Sequence, residues 1–205
     1  MNARRRTLLA LAGLAPLVRP MAVRGAETPV ATRAASPLVL SNFDVDPVSI
    51  APGARWRGFS DRVMGGVSDA AFTQPTVAGK GCIRLKGHVT TDSGGGFVQM
   101  ALDLGARGAD FDGAAYAGVE MLVHGNDEDY NVHVRTADCG WYDQSYRATF
   151  RAERRWQTVR LPWTAFAPNG LDVPLDPSRL QRIAVLGWMR VFEADIALAE
   201  LALYV

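Results

Sequence analysis

The stretch 130-YNVHVRT-136 alternates strictly. Tyr130, Val132 and Val134 fall on one side, and Asn131, His133 and Arg135 on the other, the period-2 pattern of a strand with one buried face. The segment 146-YRATF-150 repeats it, with Tyr146, Ala148 and Phe150 opposed to Arg147 and Thr149. Further strands are expected at Leu38 to Phe43, Arg55 to Phe59, Cys82 to Lys86, Phe97 to Leu102, Gly118 to Val123, Trp156 to Leu161, Ile183 to Trp188 and Ile196 to Tyr204. Gly, Pro, Asn and Asp punctuate the gaps. Many short strands separated by turn residues predict an all-β fold, an antiparallel sandwich. The final segment 195-DIALAELALYV-205 has good helix propensity. It is read as a closing strand, because sheet context overrides such preferences. A helical turn is expected at Asp176 to Leu180, where Asp176 stands as N-cap before Pro177.

At the other end, the basic cluster Arg4, Arg5, Arg6 precedes an apolar run from Leu8 to Val18, the layout of an export signal. The run is too short for a permanent bilayer span. The paired arginines resemble a twin-arginine signal, and small residues around Val23, Gly25 and Ala26 offer a cleavage site. Residues 1–25 are therefore expected to be a signal peptide, the alternative being an uncleaved N-terminal anchor. Residues 26–37, which include 27-ETPVATRAASP-37, are expected to be a flexible linker, and 38–205 a single domain. An exported, periplasmic location follows as an expectation, by the twin-arginine or the general secretory route.

The chain has 22 basic and 21 acidic residues. Removing residues 1–25 leaves 17 against 21, a net charge of −4. No basic excess remains to neutralise phosphates, which argues against a nucleic-acid partner. Two cysteines, Cys82 and Cys139, have an export context that permits a disulfide, but their separation is not fixed by sequence. With no CxxC pair and only three histidines, a zinc or redox centre has little to build on, and no cofactor is expected.

The chain lacks a G-x-S-x-G elbow, an H-E-x-x-H pair and a Walker loop. The triplet 94-GGG-96 precedes a strand rather than a helix, so it reads as a turn with positive φ and not as a phosphate loop. The acidic stretch 126-NDED-129 offers Asp127 and Asp129 as calcium ligands, but the plainer reading is a solvated hairpin turn. A dispersed Ser-His-Asp relay would use His133 as base, leaving a hydrolase as a third functional reading. The polar side of 130–136 and 146–150, carrying Asn131, His133, Arg135, Arg147 and Thr149, is a candidate recognition surface with Trp141 and Tyr142 beside it. Its alternative is an ordinary solvated sheet face.

The stretch 60-SDRVMGGVSDAAF-72 follows Trp56 and is succeeded in order by 94-GGGF-97, 130-YNVHVRT-136, 145-SYRATF-150, 156-WQTVRLPWTAF-166 and 183-IAVLGW-188. Together these resemble the complex I intermediate-associated protein 30 (CIA30) family over Leu38 to Val205. The resemblance implies a galactose-binding-like jelly-roll β-sandwich. It also implies a non-catalytic role resembling factors that assist assembly of NADH:ubiquinone oxidoreductase. Asp61, Val63, Met64, Gly65, Gly66 and Ser68 match the signature, as do Gly95, Gly96 and Phe97. Family assembly factors act on the matrix side, whereas this chain carries an outward address. The expected partner is an envelope protein or respiratory-complex intermediate, with a carbohydrate-binding module as the alternative. Within the motif, Gly65 and Gly66 are expected to supply backbone angles closed to other residues. Asp61 and Ser68 are expected to bind amides, and Met64 and Val67 to plug the sandwich end.

Overall fold

The computed structural model describes residues 36–44, 54–106 and 109–205. The expected signal peptide, and the linker up to residue 35, lie outside the described residues. The first described strand is β1 (Leu38–Asn42). Among the described residues no helix is long and apolar enough to cross a membrane.

Two six-stranded antiparallel sheets face each other. The first runs β11 (Gln157–Pro162), β8 (Gly118–His124), β14 (Phe192–Tyr204), β6 (Ile83–Val89), β3 (Asp69–Thr73), with β1 also paired to β14. The second runs β12 (Ala167–Asn169), β10 (Ser145–Ala152), β9 (Glu128–Thr136), β13 (Leu180–Trp188), β7 (Phe97–Asp103), β2 (Arg55–Ser60). A small hairpin of β4 (Thr76–Val77) and β5 (Lys80–Gly81) stands apart. Successive strands repeatedly change sheet, as from β2 to β3, β6 to β7, β8 to β9 and β13 to β14. The turn 126–129 is thus a crossing between sheets and not the expected hairpin. Asp127 there takes a positive φ of 65°, and its N–H donates to the Ala152 carbonyl at 2.9 Å.

Alternation fills the space between the sheets. Tyr130, Val132 and Val134 of β9 meet Ile196, Leu198, Leu201 and Leu203 of β14 in one buried cluster. Two tyrosines are fully buried because their hydroxyls find partners. Tyr130 Oη donates to Asn126 Oδ1 and accepts from Asp195 N–H, each at 2.7 Å, which fastens β9 to β14 across the core.

The helix-like ending is a strand with a bulge. The register shifts between Leu198 and Glu200, where one extra residue, Ala199, stands against β8. Leu198 and Leu201, three apart, therefore both point inward. That three-residue spacing is what gives LAELAL its helical look. The Ala199 carbonyl is still used, accepting from Phe43 N–H at 2.8 Å. The expected turn at 176 is a 3₁₀ turn at Pro177–Arg179, with the Asp176 side chain accepting from Ser178 N–H. Strands β3 and β12 were not expected from sequence.

Cys82 and Cys139 are both free and buried, so the possible disulfide is corrected. Cys82 packs with Ala197 and Ala199 on the outer side of the first sheet. Cys139 belongs to the main core cluster.

Because Ala199 is the unpaired residue of the bulge, its deletion should restore strict alternation while leaving every leucine of β14 on its present face. Deleting Ala197 instead makes Ile196 and Leu198 neighbours that must point to opposite faces. Urea unfolding is expected to stay cooperative for the first deletion and to lose its transition for the second.

Candidate functional site

The motif 60-SDRVMGGVSDAAF-72 leaves the end of β2 as a 3₁₀ turn at Asp61–Met64, whose Ser60 Oγ accepts from Arg62 N–H. Asp61 is only 1% exposed. Its carboxylate accepts from Ser68 N–H at 2.9 Å, Ser68 Oγ–H at 2.5 Å, Gly96 N–H at 2.6 Å and Phe97 N–H at 3.2 Å. Ser68 Oγ in turn accepts from Thr90 N–H at 3.1 Å. A buried charge is tolerated here because neutral donors surround it. Burial pushes the Asp61 carboxyl up, but the bonds from Ser68, Gly96 and Phe97 outweigh that and hold it below the usual carboxylate range. One side chain thus binds the turn, the segment before β3 and the segment before β7.

The glycines serve this carboxylate in two ways. Gly65 ends the turn at φ +91°, a left-handed position. Gly66 does not take the positive φ expected of it and is needed for space instead, since a Cβ there would stand 2.4 Å from Asp61 Cγ. Gly95 would place its Cβ 2.4 Å from Asp61 Oδ2. Gly94 and Gly96 have the positive φ expected of the triplet, 71° and 146°.

The expectation that Met64 and Val67 plug the sandwich end is overturned. Val63, Met64 and Val67 are 67%, 56% and 46% exposed. Asp61 is the side chain that turns inward here, held by its four hydrogen bonds, and the apolar side chains of the loop stand outside. Met189, 56% exposed, adjoins the glycine turn 94–96, with its N–H donating to Gly96 O at 2.6 Å. Val63 also lines a shallow open cleft with Trp56, Arg57, Gly58, Phe59 and Phe72.

The second candidate surface is the outer face of the second sheet. Register places Arg147 of β10 opposite His133 of β9, His133 opposite Ala184 of β13, and Thr149 opposite Asn131. This face is not simply solvated. Ala101, Ala184 and Leu186 are buried on it beneath Phe59, Phe97 and Trp188. The Arg147 guanidinium lies 4.4 Å from the Trp188 ring centroid, and the His133 ring meets Trp188 edge-on at 4.9 Å. His133 is 8% exposed, and its Nε2 has no hydrogen-bond partner. Burial, then the Arg147 charge, pushes its pKa down to about 3. Among the described residues the one histidine ring nitrogen in a hydrogen bond is His88 Nδ1, against Glu193 at 2.7 Å. His133 therefore has neither the proton affinity nor the carboxylate partner that a relay base requires.

The remaining candidates separate from this cluster. Arg135 donates to the carbonyls of Cys139, Trp141, Tyr142 and Gln144, at 2.5 to 3.0 Å, and so shapes the β9–β10 loop from within. Trp141 and Tyr142 stand 70% and 74% exposed on that loop. Asp127 pairs with Arg154 and Asp129 with Arg151, each at 3.4 Å. Among the described residues no group of three or more His, Cys, Asp or Glu side chains is arranged to hold a metal. Sequence reasoning missed Phe59, Arg57, Gln99 and Trp188 as face residues. The unbroken apolar run of 183-IAVLGW-188 was the available signal, since such runs mark strands covered on both faces.

Asp61→Ala leaves four donors without an acceptor and is expected to lower the unfolding free energy by roughly 3 kcal/mol, read from denaturant midpoints. The His133 imidazole, neutral when folded, takes up a proton in the unfolded chain below its ordinary pKa of 6.5. Stability should therefore fall as pH drops from about 6.5 towards 3, and His133→Leu should flatten that limb in urea melts at stepped pH.

No curated protein matches the chain. Among solved structures, the family 11 carbohydrate-binding module of a cellulosomal cellulase of Clostridium thermocellum superposes with a TM-score of 0.64 at 13% identity, covering 83% of this chain and 95% of that one. The same module in complex with a β-1,3-1,4-mixed-linked tetrasaccharide gives 0.62 at 14% identity, covering 83% and 96%. A family 30 carbohydrate-binding module gives 0.51 at 17%, covering 82% and 83%. At such identities the likeness establishes the jelly-roll sandwich and nothing finer. Residues 48–191 match complex I intermediate-associated protein 30 (CIA30), and with the Asp61 signature built as described, the chain belongs to that family.

Proposed function

We infer that this domain is a non-catalytic binding module that acts as an assembly or chaperone-like factor, seating a protein partner on the loop built by the family signature. One observation carries the reading: a loop fixed by four hydrogen bonds to a buried carboxylate holds Val63, Met64 and Val67 out in water. Exposed apolar side chains grouped on a rigid support mark interaction sites, and methionine adapts to varied surfaces. Family membership supports the same role. The export signal read from residues 1–25 directs this activity to the periplasm, where the partner is an envelope protein or a respiratory-complex assembly intermediate.

A second reading, a carbohydrate-binding module, is favoured by the aromatic and polar residues gathered on the outer face of the second sheet. The two readings use different surfaces.

Met64→Glu with Val67→Glu changes only exposed side chains, so the melting midpoint should stay within a few degrees of the parent. Purification of the tagged full chain from its native cells should recover one defined envelope complex with the parent and lose it with the double variant. Recovery of that complex by both proteins would place the partner elsewhere and overturn the assignment of the loop.

A further inference from the structure

Two buried side-chain polar atoms among the described residues lack a hydrogen-bond partner, Arg57 Nε and His133 Nε2. They belong to one row. Arg57 of β2 stands opposite Ala101 of β7, Ala101 opposite Ala184 of β13, and Ala184 opposite His133 of β9. The row therefore runs over the outer face of the second sheet from a cation on β2, over two alanines, to an imidazole on β9, and Arg147 of β10 stands next to it. Three inter-strand steps of about 4.8 Å separate its ends by about 14 Å. Leaving a buried polar atom unpaired is costly, and two at the ends of one row indicate groups that a ligand supplies.

The charge on this face is one-sided. Arg55, Arg57, Arg147, Arg151 and Arg182 point outward by register, against Asp103 and Asp129, while Arg135 turns into the β9–β10 loop. Asp103 is shared by Arg57 and Arg182 at 2.7 and 2.6 Å, and Asp129 pairs with Arg151. Among the described residues Arg147 forms no ion pair within 4 Å, although the Asp143 charge acts on it and one of its terminal N–H groups donates to the Asp143 carbonyl at 3.2 Å. The Arg147 Nε donates to Ser145 Oγ at 3.0 Å and its guanidinium lies over Trp188. Alongside the row, Phe97 and Trp188 are inclined by only 29° to one another. Half-buried rings of this kind offer an apolar surface to the C–H face of a pyranose, while the arginines offer donors to oxygen.

We propose that the outer face of the second sheet binds an acidic oligosaccharide of the uronate type, laid across the strands from Arg57 to His133 with a carboxylate on Arg147. This rests on the carbohydrate reading and narrows it to an anionic class. A peptide strand would gain its affinity from backbone bonds at a sheet edge, and this face presents none.

Titration calorimetry on the full chain with trigalacturonate, its methyl-esterified form and hexaglutamate tests the proposal. Trigalacturonate is expected to bind at least tenfold tighter than its ester and to weaken as salt screens the arginines. Arg147→Met keeps the alkyl stem over Trp188 and should weaken binding about tenfold by removing one charge-assisted contact. His133→Leu removes an unpaired atom, so it should melt no lower than the parent yet bind more weakly, an outcome that a purely structural role would not give. Equal binding of acid and ester would overturn the anionic class while the carbohydrate reading stands. Absence of binding to either saccharide would overturn the uronate assignment. Preference for hexaglutamate, or affinity unchanged in both variants, would equally overturn the assignment.

Discussion

A single buried carboxylate organises one end of this protein. Asp61 draws three backbone amides and a serine hydroxyl onto two oxygens, and those donors come from segments as far apart in sequence as residues 68 and 97. Such a charge is stable only while every donor stays in place. The two sheets are thereby held in register where β2 and β7 of one meet the approach to β3 of the other. The glycines follow from it. Gly66 and Gly95 have no room for a side chain because the carboxylate fills that room, and Gly65 ends the turn at an angle that L side chains avoid.

The same constraint governs what the loop presents. A segment pulled inward by its polar residues has to turn its apolar ones outward, and Val63, Met64 and Val67 stand in water as a result. Folding gains nothing from that arrangement, which is why it points to recognition. The outer face of the second sheet has the opposite character. Its small apolar floor is covered by aromatic rings and arginine stems, and its unpaired polar atoms lie at the two ends of one row. One surface is an apolar projection, the other a charged and ring-lined bed.

The periodicity of β9 and β10 was enough to assign their buried and exposed sides, because both strands alternate without interruption and the core demands it. The order of motifs from Trp56 to Trp188 was enough to name the family, since each fragment matches at its own place in the chain. Asp61 and Ser68 were legible as amide-binding residues because short polar side chains beside a glycine pair have few other uses. The chain also carries, in its first 25 residues, the arginine cluster and apolar run on which the export expectation rests.

Partners distant in sequence were decided by the fold alone. That Asp61 reaches Gly96 and Phe97 depends on the β2 to β7 pairing, which local pattern does not encode. The inward or outward fate of Met64 and Val67 turned on which side chain the distant donors held inward. The spacing of Leu198 and Leu201 fits a helix and a bulged strand equally, and only the neighbouring strands β6, β8 and β1 selected the second. His133 looked like a solvated face residue until Trp188 and Arg147 arrived from other strands to cover it. Sequence determined which faces are apolar because alternation is a local property of the backbone. Tertiary structure decided what those faces touch, because contact depends on strands that the chain order leaves far apart.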